Sequence, residues 1–301
     1  MNKHKILPAT ERRNKHSENI DRLSTLKIVD LINSEDMLVA PAVAKENKKI
    51  ALAIEMIVER FHEGGKLFYV GAGTSGRLGV LDASECPPTF GVSPSLVQGI
   101  IAGGKRALVR AVEGAEDYAV DGANAVIKKR IRSRDVVVGI AACGMTPFVC
   151  AALKQAQKIG AGTIFITCAP EAVKQLPAQV IINPVVGPEV ITGSTRMKAG
   201  TATKLVLNTI TTTVMIKLGK VYGNLMVDLN ATNEKLRDRS ERILMEMTSL
   251  SRQKAKNLLR KSEGKVKAAI VMHFREVDYN GAIQILNQCN QSLRKAIEAV
   301  K

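Results

Sequence analysis

The chain has 301 residues, a formal net charge of +16 and 46% hydrophobic residues, enough apolar material for one sizeable core. No apolar run approaches the roughly 18 residues needed to cross a bilayer, and the first residues are polar, so we expect a cytoplasmic protein without membrane contact. The basic charges are dispersed and aromatic residues make up only 3% of the chain, which argues against nucleic acid as a partner.

Residues 1–20 have the composition of a loose, charged arm. From Ser24 to about Glu63 the apolar residues recur at helical spacing, which predicts two or three helices before the stop signal Gly64-Gly65.

Five short apolar runs alternate with helical segments after this point. They lie at residues 67–70, 96–102, 135–142, 162–168 and 179–186. Runs that are apolar on both faces predict a parallel sheet covered on both sides, that is, a three-layer, doubly wound α/β fold. We expect three parts: an arm with helices at 1–63, a sheet domain at 64–225 and a small helical bundle at 226–301.

Two loops rich in glycine and hydroxyl groups open onto predicted helices, at residues 71–77 and 187–198. Glycine lets backbone N–H groups approach an anion, and a helix start adds partial positive charge, so both loops predict a phosphorylated ligand. The first loop also spells G-x-G-x-x-G, but the following strand runs into Gly103-Gly104-Lys105-Arg106, without the acid that a dinucleotide requires. A loop that only makes a tight turn remains the alternative. We predict no cofactor.

The pattern of cysteines and histidines indicates no metal. The five cysteines are odd in number and contain no C-x-x-C pair, and the four histidines are isolated from one another.

Two acidic groups follow the first loop. Glu85 precedes Pro87-Pro88, a pair expected to end the helix, and Glu116 lies in the segment Glu113-Gly114-Ala115-Glu116-Asp117. Two carboxyl groups from separate segments suit a general acid and a general base. Surface carboxylates paired with nearby arginines are the alternative interpretation.

Several blocks of this sequence resemble the signatures of the N-acetylmuramic acid 6-phosphate etherases. They are residues 71–90, 111–117, 187–200 and 224–228. The resemblance implies a sugar isomerase (SIS) domain, a homodimer, and a cofactor-independent lyase of cell-wall amino sugar recycling. Such a lyase converts its sugar phosphate to N-acetylglucosamine 6-phosphate and D-lactate.

The resemblance also implies roles for individual residues. Glu85 and Glu116 match the two catalytic glutamates, and the apolar residues beside Glu85 favour it as the acid, with Glu116 as the base. The implied substrate-binding residues are Gly73, Thr74, Ser75, Gly76, Cys143, Gly144, Thr146, Ser194, Thr195 and Lys235. Cys143 and Met145 depart from the family pattern A-A-S-G-[RK]-T-P, where a hydroxyl and a cation usually stand.

A sugar-phosphate-sensing regulator is the alternative function, because SIS domains also occur in a glucokinase regulatory protein and in transcription regulators. Only about 65 residues precede the predicted sheet, so we expect neither a sizeable DNA-binding domain before it nor a second SIS domain. A sugar-phosphate binder without catalysis remains open because of Cys143 and Met145.

Overall fold

The computed structural model describes residues 7–175, 177–229, 231 and 233–298. The strands are β1 Leu67–Gly71, β2 Val97–Ile101, β3 Val136–Ile140, β4 Gly162–Ile166 and β5 Val180–Ile182. The helices are α1 Thr25–Asp36, α2 Val39–Ala44, α3 Asn47–His62, α4 Gly73–Phe90, α5 Arg106–Val109, α6 Ala119–Lys128, α7 Pro147–Ile159, α8 Lys198–Lys217, α9 Glu234–Thr248, α10 Arg252–Lys261, α11 Val266–Arg275, α12 Tyr279–Gln288 and α13 Leu293–Glu298. Among the described residues no helix is both long and apolar enough to cross a membrane.

The chain divides into two compact units. The first holds the residues up to Ser84 together with Ser95–Thr211, and the second holds Glu85–Pro94 with the chain from Thr212 onwards. The three-part division expected from the sequence stays a prediction.

The first unit is built on a five-stranded parallel sheet, which confirms the predicted fold class. The strand order is β2-β1-β3-β4-β5, and the register pairs Gly71 with Ile101 on one side and with Ile140 on the other. Because β1, β2 and β3 run in parallel, the loops that follow them emerge at the same edge of the sheet.

Side chains of β1 alternate between two apolar layers. Phe68 and Val70 are buried with Leu153 of α7 and Val126 of α6 in one cluster. On the other face the hydroxyl of Tyr69 donates to Asp82 of α4 at 2.9 Å. Helices therefore cover both faces of the sheet, as uniformly apolar strands require.

The buried carboxylate of Asp82 joins α4 to α8. Asn208 donates to it at 2.7 Å and Thr211 at 3.1 Å, in addition to Tyr69. Burial raises the pKa of Asp82, and these three hydrogen bonds oppose the rise. The network fixes the orientation of α4, whose first turn follows directly on β1.

The prediction that Pro87-Pro88 ends the helix is wrong, because α4 continues through both prolines to Phe90. Proline lacks the N–H donor, but its fixed φ is close to the helical value, so one further turn can form. The chain leaves the helix at Gly91, which has a φ of +62°.

The expectation of a loose arm is also wrong for residues 7–20; residues 1–6 lie outside the described part of the chain. Two 3-10 turns form here, Ala9–Glu11 and Lys15–Ser17, and Thr10 is fully buried. Long-range contacts hold them: Arg12 pairs with Glu171 at 2.5 Å, and the Ser17 hydroxyl donates to the carbonyl of Val190 at 2.8 Å.

The second unit is helical, with an apolar core drawn from α9 to α13 and from residues 227 and 229. Its buried Lys267 donates to Asp228 at 2.6 Å and to the carbonyls of Gly219 and Gln291 at 2.9 and 3.0 Å. All three ammonium donors are satisfied, so this lysine ties the loops of the unit together.

Candidate active site

A pocket of about 440 Å³ opens at the edge of the sheet where β1 and β3 end. Its walls come from the loops after these two strands, from the segment before α6, from the second glycine-rich loop and from the N-terminal turns. The lining residues are 72–75, 116–117, 140–143, 145–147, Gly193, Thr195 and Glu11. All of them belong to the first unit.

Four hydroxyl side chains line this pocket: Thr74, Ser75, Thr146 and Thr195. None of the four hydroxyls has a hydrogen-bond partner among the described residues. The first turns of α4 and α7 start here as well, and the N–H groups of a first helical turn lack intrahelical acceptors. Hydroxyls and helix starts together suit an anion such as phosphate.

Glu116 is the predicted catalytic glutamate that the structure places in this pocket. Its backbone carbonyl accepts a hydrogen bond from the N–H of Phe148 at 3.0 Å, which ties its loop to the first turns of α7. Glu85 is exposed on α4 and belongs to the second unit, as does the exposed Lys235 at the start of α9.

Three other predicted site residues have positions that the sequence did not indicate. Gly76 and Gly144 are buried, where a Cβ would lie 2.6 Å from the Ile101 side chain and 2.4 Å from that of Ala172, respectively. Ser194 donates its backbone N–H to Ile191 within the second loop. None of the three is among the pocket-lining residues. Close packing against Ile101 therefore requires a glycine at position 76. This agrees with the alternative interpretation of the first loop, in which its glycines serve a tight turn.

The second glycine-rich loop already holds a carboxyl group of the protein itself. The fully buried Glu189 accepts hydrogen bonds from the N–H groups of Lys198 and Ala199, both at 2.9 Å, and so caps α8. Burial raises the pKa of Glu189, while these two N–H groups and the Lys198 charge oppose the rise. The start of α8 is thus occupied, and only Gly193 and Thr195 of this loop reach the pocket.

Sequence reasoning missed Glu11, the pocket carboxylate that comes from the N-terminal turns. Its oxygen accepts a hydrogen bond from the thiol of Cys143 at 3.2 Å, and a Cβ at Gly193 would lie 3.0 Å from its other oxygen. In the sequence Glu11 is a lone glutamate in a polar segment, and no motif or spacing marks it as a site residue.

We expect the Cys143 thiol to resist alkylation. Burial and the neighbouring Glu11 carboxylate raise its pKa to about 11, while a hydrogen bond with Thr10 opposes the rise. The raised pKa leaves about a hundredfold smaller fraction of thiolate at pH 7.5 than in an ordinary thiol, but a thiolate of higher pKa is also more nucleophilic. We therefore expect iodoacetamide to label Cys143 roughly tenfold more slowly than it labels a free thiol. Peptide mapping after timed labelling measures this rate. Glu11→Gln is expected to speed the reaction, and labelling of the unmodified protein at the rate of a free thiol would contradict the prediction.

A smaller cavity of about 140 Å³ adjoins the pocket and shares Ala72, Gly73 and Glu116 with it. Arg77 and Glu113 also line this side cavity.

Within the described part of the chain no group of histidines, cysteines or acidic residues could hold a metal ion.

Comparison with known proteins places this architecture in a family. A model described as the glucokinase regulatory protein N-terminal SIS domain matches residues 49–157. An N-acetylmuramic acid 6-phosphate etherase from Picosynechococcus sp. is 53% identical over 290 residues, which cover 96% of each chain. The enzyme of the same name from Clostridium beijerinckii is 53% identical over 291 residues, covering 97% of this chain and 96% of the relative.

Solved structures show more distant likenesses. A phosphoheptose isomerase from Francisella tularensis is 16% identical, with a TM-score of 0.48 over 65% of this chain and 100% of its own. A phosphoheptose isomerase from Neisseria gonorrhoeae is 17% identical, with a TM-score of 0.47 over 64% of this chain and 99% of its own. On the identity and coverage of the curated relatives, the chain belongs to the N-acetylmuramic acid 6-phosphate etherases, a family of lyases.

Proposed function

We propose that the pocket binds N-acetylmuramic acid 6-phosphate and breaks the ether bond between carbon 3 of the sugar and the lactyl oxygen. The products are N-acetylglucosamine 6-phosphate and D-lactate. The observation that carries this proposal is Glu116 in a pocket that also presents four unpartnered hydroxyls, in a chain 53% identical to etherases.

The reaction proceeds by elimination followed by addition of water. In the open-chain sugar, the aldehyde acidifies the proton on carbon 2, and Glu116 removes it. The bond from carbon 3 to the lactyl oxygen then breaks, a double bond forms between carbons 2 and 3, and the departing oxygen takes a proton from a general acid, the role that the family resemblance gives to Glu85. Water adds its hydroxyl to carbon 3 and a proton to carbon 2, so the net change is hydrolysis. The resemblance to the family supports both roles, and Glu116 has the pocket position in addition.

The phosphate is held by hydroxyls and backbone N–H groups. No lysine, arginine or histidine lines the main pocket among the described residues, whereas Glu11, Glu116 and Asp117 do. Without a cation among these described lining residues, phosphate binding depends more strongly on each hydrogen-bond donor. Cys143 and Met145, the two positions where this chain departs from the family pattern, are therefore expected to affect phosphate affinity.

Cys143→Ser is expected to lower KM more than it changes kcat, because a hydroxyl donates a stronger hydrogen bond than a thiol does. A hydrogen bond to a charged group is worth about 1.5–3 kcal/mol, so a tenfold change is the expected scale. Steady-state kinetics measure it, with Cys289→Ser, a substitution in the second unit, as the matched control. An unchanged KM would show that Thr146 and the backbone already carry the phosphate.

We also propose a homodimer. Helix α1 and the turn after it expose large apolar side chains: Leu26 is 70% accessible, Met37 77% and Leu38 52%. Large exposed apolar side chains along one helix offer a surface for self-association. Sedimentation of the wild type is expected to give twice the 32.5 kDa chain mass, and Leu26→Glu with Leu38→Glu to give the monomer. A monomeric wild type at micromolar concentration would refute the dimer.

A cytoplasmic location in cell-wall sugar recycling is the third part of the proposal. None of the five cysteines forms a disulfide, which is usual in a reducing compartment. Fractionation of the source cells, with a cytoplasmic marker enzyme as reference, tests the location.

The direct test of the activity is incubation with N-acetylmuramic acid 6-phosphate and assay of D-lactate. We expect stoichiometric release without added metal or nucleotide. Substrate binding without lactate release would support the alternative, a sugar-phosphate sensor.

A further inference from the structure

The side cavity beside the pocket contains a positively charged group. Arg77 lies in the second turn of α4 and lines this cavity, together with small apolar residues and the carboxylates of Glu113 and Glu116. The apolar lining residues include Ala102, Ala107 and Val112. Glu116 and Gly73 line both cavities, so the side cavity adjoins the place where the proposed base acts.

One edge of the Arg77 guanidinium is held by the backbone. Its Nε donates to the carbonyl of Leu108 at 3.2 Å, and Nη2 donates to that of Arg110 at 3.3 Å. A guanidinium has five N–H donors, and three remain after these two bonds. They include the fork between Nη1 and Nη2, and Arg77 has no ion pair among the described residues. The group is fixed in position with an unused bidentate edge.

The proposed substrate has two anionic ends, the phosphate on carbon 6 and the carboxylate of the lactyl group on carbon 3. The main pocket offers hydroxyls and helix starts but no cation among its described lining residues. A carboxylate is matched in shape and charge by the fork of a guanidinium. From these facts we infer that Arg77 binds the lactyl carboxylate in the side cavity.

The geometry of the two cavities fits this assignment. Because Glu116 lines both cavities, a substrate with its phosphate in the main pocket and its lactyl group beside Arg77 would have carbons 2 and 3 near Glu116. In this arrangement the lactyl methyl group would contact the apolar lining of the side cavity, formed by Ala102, Ala107 and Val112. A cavity of about 140 Å³ has room for the five non-hydrogen atoms of the lactyl group beyond its ether oxygen.

This inference rests on the proposed function, and binding measurements separate the two. In a Glu116→Gln background, which prevents turnover, calorimetry gives the Kd of three ligands: the substrate, its lactyl carboxamide analogue and N-acetylglucosamine 6-phosphate. The Kd of each ligand is measured with Arg77 unchanged, with Arg77→Gln and with the charge-conserving Arg77→Lys. Arg106→Gln, which changes an exposed arginine on α5, is the control.

Arg77→Gln is expected to weaken the substrate about tenfold or more, as loss of a charge-assisted hydrogen bond implies, and to leave N-acetylglucosamine 6-phosphate within twofold. The preference for carboxylate over carboxamide should disappear in Arg77→Gln and persist in part in Arg77→Lys. Equal weakening of all three ligands, or an unchanged preference for the carboxylate, would overturn the assignment. If the unmodified protein releases no lactate, the proposed function is refuted. The Kd values then still test whether Arg77 binds the lactyl carboxylate.

Discussion

A Glu116→Gln variant is expected to lose D-lactate release by a factor of about a hundred to ten thousand, the usual contribution of a general base. The amide keeps the size and hydrogen-bonding capacity of the side chain but cannot take the proton from carbon 2. Exchange of that proton with deuterated solvent, followed by NMR, should stop as well. Asp121→Asn, an exposed acid on α6, is the matched control and should retain both activities.

Glu85→Gln should give a different pattern, because the acid acts after the proton has been removed. Solvent exchange at carbon 2 is expected to continue while lactate release falls. The reverse pattern would exchange the two roles, and full activity in both variants would refute the proposed mechanism.

The second large effect concerns stability. Lys198 and Glu35 are almost fully buried and form an ion pair at 2.5 Å, and Asn14 and His16 each contact the same carboxylate at 2.8 Å. Removing one partner of a buried pair leaves an uncompensated charge, which costs about 3–5 kcal/mol. Lys198→Met should therefore lower the free energy of unfolding by about this amount in urea titrations. Lys204→Met, at an exposed position of α8, should change it little.

The same carboxylate predicts a pH dependence. Burial alone would raise the pKa of Glu35, but the hydrogen bonds from Lys198, His16 and Asn14 outweigh it and lower the pKa below its ordinary value. The stabilisation is present above the ordinary pKa of a glutamate, near 4.3, and is lost as the pH falls through the lower pKa of the folded state. The stability difference between wild type and Lys198→Met should shrink over this acid range, and a difference independent of pH would contradict the account.

The sheet was predictable because its signal is local. A strand covered on both faces must be apolar throughout, so five runs bounded by helical segments were enough to place β1 to β5. The loop after β1 was predictable for a related reason, since it follows a buried strand and opens a helix. The side chains of Thr74, Ser75 and Thr146 line the pocket at these strand ends, and their role in substrate binding stays a prediction.

Features that depend on distant contacts were not predictable. The turns at residues 9–17 owe their order to partners more than a hundred residues away, such as Glu171 and Val190. No spacing in the segment encodes these partners, so Glu11 could not be assigned to the pocket. Lys198 likewise stands at a predicted helix start, where a lysine is usually exposed. The fold shows instead that its side chain is buried and forms an ion pair with Glu35.

Isotope labelling with ¹⁸O water tests the central claim, that this chain breaks the ether on the sugar side by elimination and addition of water. Wild-type protein turns over N-acetylmuramic acid 6-phosphate in the labelled water, and mass spectrometry reads both products. The account predicts one ¹⁸O atom on carbon 3 of N-acetylglucosamine 6-phosphate and none in the D-lactate hydroxyl. Label in the lactate hydroxyl would show cleavage on the lactyl side and would contradict the account.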